Sequence, residues 1–233
     1  MSEARTNRQP YSEALLKEVA SFDTATLHEA AGQTGALSPD IRPIAAGLRL
    51  AGPALTVACP AGDNLMIHAA VADAQPGEVL IAQCHDHRRG VWGEILMTAA
   101  VERGITGLVV DGGVRDVPGL RAAGFPVFCR AIAIQGTVKE RRGLLRQPIS
   151  CGGVLVWPGD LVVADDSGVV VIAADEVEQV VTRARQRVAK ENDMLTALRD
   201  GKTTVELLGL RGTLDKLGVV RTAGPGLARH SIS

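Results

Sequence analysis

The chain has 233 residues, and its 25 Lys and Arg stand against 26 Asp and Glu for a formal charge of -1, so no global basic field favours nucleic acid or an anionic membrane. Aromatic residues make up only 3% while glycine numbers 26, so a sizeable core must be built from Val, Ile, Leu and Ala, which favours an α/β protein. The N-terminal MSEARTNRQPYSE lacks the apolar stretch of a signal peptide, no run approaches the ~20 apolar residues of a membrane span, and Cys59, Cys84, Cys129 and Cys151 are widely spaced without a Cys-x-x-Cys pair. The expectation is a cytoplasmic protein whose thiols are buried as small, reduced hydrophobes.

Residues 1–10 are polar and read as flexible. Between residues 13 and 31 the apolar positions Leu15, Leu16, Val19, Phe22, Leu27 and Ala30, interrupted at Ser21 to Asp23, predict two short helices. Asp23 or Thr24 is expected to cap the second. A Gly/Pro/Ser-rich connection over 32–44 leads to a strand over 48–59 with a break at Gly52-Pro53. Asp63 offers a cap for a helix over 64–74, and Pro76-Gly77-Glu78 turns the chain into a strand over 79–83. The polar loop His85-Asp86-His87-Arg88-Arg89-Gly90 precedes a helix over 93–103 rich in small and apolar residues.

The next stretch, GITGLVVDGGVRDVPGLRAAG, organises the remainder. Residues 105–110 are a β-branched apolar run suited to a strand buried on both faces, and Asp111-Gly112-Gly113 is expected to end it in a tight turn. Pro118 then suits the start of a helix running to about Ala123. A strand over 127–133, an apolar piece over 151–156 and the turn Pro158-Gly159-Asp160 follow. Residues 161–164 and 169–172 flank Asp165-Asp166-Ser167-Gly168, the signature of a hairpin. Residues 176–198 form the longest helical pattern, a shorter one covers 204–217, and the tail over 222–233 reads as flexible. The expected organisation is one domain, with an α/β core over about 11–172 and a helical extension over about 175–217.

Two segments can meet in this scheme, because a helix, a short turn and a strand put the helix start and the strand's carboxyl end on the same sheet edge. Gly93 allows close approach, and the first-turn amides of Glu94, Ile95 and Leu96 would make an anion site. Arg115 adds a planar fork for a carboxylate or a developing oxyanion. Glu94 beside an anion pocket is repulsive unless a divalent ion intervenes, with Asp116 as direct ligand and Glu94 as a second or water-mediated one. Few protein ligands and several waters suit Mg²⁺, with Mn²⁺ an easy substitute. The bland alternatives are a surface ion pair for Arg115-Asp116, a favourable first-turn charge for Glu94, solvated loop positions for His85 and His87, a core or interface position for His68, and turn formers for Asp165 and Asp166.

The segments GDNLMIHAAV (62–71), GEIL (93–96), GLVVDGGVRD (107–116), FPVFCRA (125–131), QGTVK (135–139) and PGDLVVADDSGVVVI (158–172) resemble, in this order, the class II pyruvate aldolases that act on 4-hydroxy-4-methyl-2-oxoglutarate and 4-carboxy-4-hydroxy-2-oxoadipate. The resemblance implies a layered α/β/β/α sandwich of the ribonuclease E regulator-like type with a helical C-terminal extension. It also implies Mg²⁺- or Mn²⁺-dependent retro-aldol cleavage of a small oxo-acid, with pyruvate enolate as the leaving fragment and oxaloacetate decarboxylation as a side activity. By the same resemblance Asp116 is the metal ligand, Arg115 the enolate-stabilising group, and the backbone of Gly93, Glu94, Ile95 and Leu96 the pyruvyl-binding segment. Glu94 stands where the family often has Asp as a water-mediated metal partner. Glu191 resembles an acidic residue contributed, through water, by a neighbouring subunit of a trimer or dimer of trimers. Lys139 has no Schiff-base role in this chemistry. A regulator of ribonuclease E activity A shares the fold and the central motif but acts by binding protein; the long C-terminal helix carrying Glu191 favours the enzyme. A third alternative is a relative turned to a different oxo-acid lyase, and the ending TVELLGLRGTLDKLG departs from the tyrosine-bearing aldolase endings.

Overall fold

The computed structural model describes residues 11–84 and 86–219; the expectations for residues 1–10, His85 and the tail lie outside them. Contacts divide the chain into two compact units, residues 1–185 and 186–233.

The first unit opens with α1 (Glu13–Val19) and α2 (Thr24–Ala30), the two short helices that the interrupted pattern predicts. Neither Asp23 nor Thr24 caps α2 with its side chain. The cap comes from far along the chain: the carboxylate of Asp165 accepts from the Thr24 amide at 2.9 Å, the Thr24 hydroxyl at 2.7 Å and the Ser167 amide at 2.8 Å. Local pattern could not reveal this, because the acceptor is supplied by the hairpin packed on the helix.

The strand β1 (Arg42–Pro43) is short, and β2 (Leu50–Cys59) runs unbroken through Gly52-Pro53. That dipeptide marks a change of partner instead of a break. Leu50 to Pro53 pair antiparallel with a later hairpin strand, and Ala54 to Cys59 pair parallel with β3 (Val79–Cys84) after the helix α3 (Leu65–Asp73). The short strand β4 (Gly90–Trp92), which the polar pattern before it concealed, leads into α4 (Glu94–Glu102). The strand β5 (Gly107–Val114) continues through Asp111-Gly112-Gly113 where a turn was expected. These glycines meet a steric need: a Cβ on Gly112 would lie 2.9 Å from the Cys84 Cβ, and one on Gly113 would lie 2.6 Å from the Arg89 carbonyl oxygen. The turn comes later, at Asp116, with φ of 56°.

After α5 (Val117–Ala123) come β6 (Val127–Ile132), β7 (Leu144–Leu145), the hairpin β8 (Ile149–Cys151) and β9 (Val154–Val156), and the predicted hairpin β10 (Leu161–Asp165) and β11 (Gly168–Ile172). Among the described residues, nine strands form one sheet ordered β1-β6-β5-β3-β2-β10-β11, with β4 on β5 and β7 on β2. The parallel strands β2, β3, β5 and β6 carry near-continuous apolar runs, as strands covered on both faces must. On one face Ile67, Ala70, Leu96, Met97, Ala100 and Leu120 of α3 to α5 close a core over Leu55, Leu80 and Leu108. On the other face Ile81, Val109 and Phe128 pack with Ile149, Val156, Val162 and Val171 of the hairpins. The first unit is thus an α/β/β/α sandwich. A long helix, α6 (Val177–Arg199), buries Val177, Val180, Val181 and Ala184 within the first unit.

The second unit holds the remainder of α6 and two short helices, α7 (Thr204–Leu207) and α8 (Arg211–Lys216), where one piece was expected over 204–217. Thr203 and Glu206 form a reciprocal capping box that starts α7. No helix of the described residues is long and apolar enough to cross a membrane.

Burial pushes the Asp165 carboxyl up, but the Thr24 hydroxyl, the amides of Thr24 and Ser167 and the charge of Arg49 outweigh it and hold the group below the usual carboxylate range. A lowered folded-state value means that Asp165 stabilises the fold above its unfolded value of about 3.9 and stops doing so as pH falls through the folded value. Asp165→Ala is expected to lower unfolding free energy by about 2–3 kcal/mol at neutral pH, read by urea denaturation. The gap to the parent should shrink in acid.

Candidate active site

The carboxyl ends of β2, β3 and β5 share one sheet edge because the three strands are parallel. Open α/β sheets bind ligands at such edges. Here β4 brings Gly93 beside the exit of β5. The Arg115 amide donates to the Trp92 carbonyl at 2.8 Å, and the Ala133 amide donates to the Val114 carbonyl at 2.8 Å. These bonds tie β4, β5 and the end of β6 into one platform.

The Arg115 stem crosses two glycines. A Cβ on Gly90 would sit 2.9 Å from the Arg115 Cβ, and one on Gly93 would sit 3.1 Å from its Cγ. Asp116 adopts the left-handed conformation that short polar side chains tolerate, as the residue before α5. That turn aims its carboxylate back at α4. Oδ2 lies 3.3 Å from the Glu94 amide and 3.7 Å from Arg115 Nε. Gly93 caps α4 without a side chain, so Asp116 supplies the cap across the turn. The amide of Glu94, expected to face a ligand, is therefore engaged by Asp116, and Ile95 and Leu96 carry the other first-turn amides that no helical carbonyl reaches. The side chain of Ile95 is 81% exposed while Leu96 is buried in the helix-side core.

The Glu94 carboxylate rests on Gly119 of α5, where an added Cβ would lie 2.8 Å from Oε2. Gly119 was not singled out from the sequence. Its signal was available: a glycine just after the proline of a short helix is costly unless space is needed. Arg115 and Asp116 are 45% and 44% exposed, so their ion pair adds little stability and both remain open to a ligand. Glu94, Gly93, Arg115 and Asp116 are thus brought together. Glu191 lies in the second unit, 2.8 Å from Arg187 one turn earlier on α6.

His68 is partly buried on α3, and burial, then the nearby charge of Lys139, lower its pKa. His87 is exposed in the turn before β4. Among the described residues, no group of three or more His, Cys, Asp and Glu is placed to hold a metal. Asp116 and Glu94, both set against the first turn of α5 and open to water, are a donor set suited to a hard cation that keeps most of its waters.

Residues 23–171 match the family model described as RraA-like, Aldolase/RraA, and the chain belongs to that family. A protein of Halalkalibacterium halodurans, provisionally named a 4-hydroxy-4-methyl-2-oxoglutarate aldolase, is 36% identical over 182 residues, 78% of this chain and 84% of its own. A solved structure of an uncharacterized Pseudomonas syringae pv. tomato protein superposes with a TM-score of 0.77 at 30% identity, covering 89% of this chain and 97% of that one. Streptomyces coelicolor RraAS2, described as an unusual member of the RNase ES inhibitor RraA family, gives 0.70 at 26% identity, over 84% and 100%.

Gly93→Ala would place a methyl 2.3 Å from Asp116 Oδ2, so the carboxylate must move. The variant should fold normally by circular dichroism yet bind Mn²⁺ roughly tenfold or more weakly by calorimetry, about 1.4 kcal/mol. Unaltered affinity would show that Asp116 does not hold the ion.

Proposed function

We propose that the chain is a divalent-metal-dependent aldolase that cleaves 4-carboxy-4-hydroxy-2-oxoadipate or 4-hydroxy-4-methyl-2-oxoglutarate, releasing pyruvate, with oxaloacetate decarboxylation as a side activity. The observation that carries this reading is the convergence of Asp116, Arg115 and the glycine-led start of α4 at one sheet edge. The name of the Halalkalibacterium halodurans relative supports the same activity.

Asp116 would hold the Mg²⁺ or Mn²⁺ ion directly and Glu94 through water. When bound, the ion would supply Lewis-acid polarisation of the substrate's 2-keto group. The amides of Ile95 and Leu96 receive the substrate carboxylate, and Arg115 is positioned for negative charge developing on the pyruvyl oxygen. A water or hydroxide at the site takes the C4 hydroxyl proton, C4 becomes the carbonyl of a second oxo-acid as the C3–C4 bond breaks, and the pyruvate enolate left behind takes a proton at C3 to give pyruvate. Arg115 therefore acts most strongly after the bond has begun to break, where its binding lowers the barrier. Glu191 would reach the site of a neighbouring subunit in a homo-oligomer, a trimer or dimer of trimers.

Similarity to an RNase ES inhibitor favours one second reading, a protein-binding regulator. A pull-down against ribonuclease E tests it.

Purified protein with Mg²⁺ or Mn²⁺ should release pyruvate from 4-carboxy-4-hydroxy-2-oxoadipate or oxaloacetate in a lactate dehydrogenase-coupled assay. Absence of metal-dependent release from both compounds would sink the aldolase reading. Arg115→Ala should lower turnover by roughly 10²-fold, as losing one oxyanion donor does. Asp116→Ala should abolish metal activation.

A further inference from the structure

Two of the four cysteines close the carboxyl ends of neighbouring strands. Cys59 ends β2, Cys84 ends β3, and the parallel register sets them side by side. Both belong to the apolar layer under α3, α4 and α5, at 1% and 7% exposure. Paired strands run about 4.8 Å apart, inside the 4.4–6.8 Å Cα separation that a disulfide spans, and side chains opposite one another in register leave the same face. The two thiols act on each other's acidity, each being the largest influence on the other's pKa.

Their surroundings make them chemically unequal. The pKa of Cys59 is lowered, first by the neighbouring Cys84 thiol and then by the backbone of Ile67 and Met66 at the start of α3, against burial and the charge of Asp63, which raise it. Cys84, bonded to Cys59, buried, and facing the charges of Cys59, Cys151 and Asp111, is raised well above the usual thiol range. Cys59 is thus the readier of the two to lose its proton. Burial pushes Cys129 up to about 11 and Cys151 up to about 12 as well, and neither stands opposite Cys59 in the strand register as Cys84 does.

We propose that Cys59 and Cys84 form a reversible dithiol–disulfide pair, set in the layer beneath the candidate active site and oxidised by hydrogen peroxide. A water-sized oxidant is the class that a closed apolar layer admits. The Cys59 thiolate attacks one peroxide oxygen, the O–O bond breaks, and the departing hydroxide takes up a proton to become water. Cys59 is left as a sulfenic acid. The Cys84 sulfur then attacks the Cys59 sulfur, the S–O bond breaks, and the departing hydroxide leaves as a second water with the Cys84 proton. Two electrons pass from the thiols to the peroxide, and a thiol reductant reverses the change.

The bond couples to the sheet edge through Gly112, whose hydrogen faces the Cys84 Cβ. Closing the S–S distance to about 2.05 Å would load the end of β3, which pairs with β2 on one side and β5 on the other. An altered turnover in the oxidised protein rests on the aldolase reading above; formation of the disulfide does not.

The test treats reduced full-length protein with hydrogen peroxide, alkylates the remaining thiols and maps peptides by mass spectrometry. The expected result is a loss of two hydrogens, a linked Cys59–Cys84 peptide pair that dithiothreitol separates, and alkylation confined to Cys129 and Cys151. Cys84→Ser, or Cys84→Ala if serine disturbs the fold, should strand Cys59 as a sulfenic acid trapped by dimedone, while Cys151→Ser should still form the link. Four alkylated thiols after peroxide, sulfinic acid without a link in the parent protein, or a link through Cys129 or Cys151 would overturn the proposal. A missing link with intact pyruvate release refutes the thiol pair alone. A link in protein without such release refutes only the aldolase reading.

Discussion

At Gly93 the space for a side chain is taken by the Asp116 carboxylate, 2.3 Å from where a Cβ would stand. The rest of the edge is arranged around that contact. Gly90 and Gly113 lie against the carbonyl oxygens of Ala133 and of Arg89 and His87, at 2.5 Å and at 2.6 and 2.7 Å from their absent Cβ atoms. Gly90, Gly93, Gly112 and Gly113 are not among the residues with left-handed backbone. They serve approach, letting three strand ends and a helix start crowd into one platform. Asp116 is the residue that pays in backbone strain, and its αL turn is what returns a carboxylate to the helix start.

The platform can exist because the sheet beneath it is sealed on both faces. Parallel strands cannot leave a face in water, and here α3 to α5 cover one side while the β8–β9 and β10–β11 hairpins cover the other. Polar groups are then concentrated where the strands end. The change of partner along β2, from β10 to β3, joins the antiparallel hairpin layer to the parallel layer without ending the strand. Family relatives are named for an aldolase and for RNase inhibition, so the fold by itself does not decide the function.

Much of this was legible in the chain. Apolar runs marked the buried strands, the interruption at Ser21 to Asp23 separated α1 from α2, and Asp165-Asp166-Ser167-Gly168 marked the β10–β11 hairpin. Helix-turn-strand geometry was enough to predict that Gly93 and Arg115-Asp116 share an edge. The structure departs from the local pattern where conformational freedom is not a residue's reason to be present. Gly52-Pro53 and Asp111-Gly112-Gly113 resembled breaks, but each lies within a strand, because glycine also serves where another backbone or side chain comes too close for a Cβ.

By itself the sequence determined the α/β class, the order of most elements and the identity of the charged groups at the sheet edge, because periodicity and turn chemistry are local properties. Tertiary structure alone decided that Asp165 caps α2 from 141 residues away, that Asp116 caps α4, that Gly119 seats Glu94, and that Cys59 and Cys84 stand side by side. Each of these depends on the distance between groups far apart along the chain or on separate elements. Such distances are set only when the two cores close and bring the strands into register.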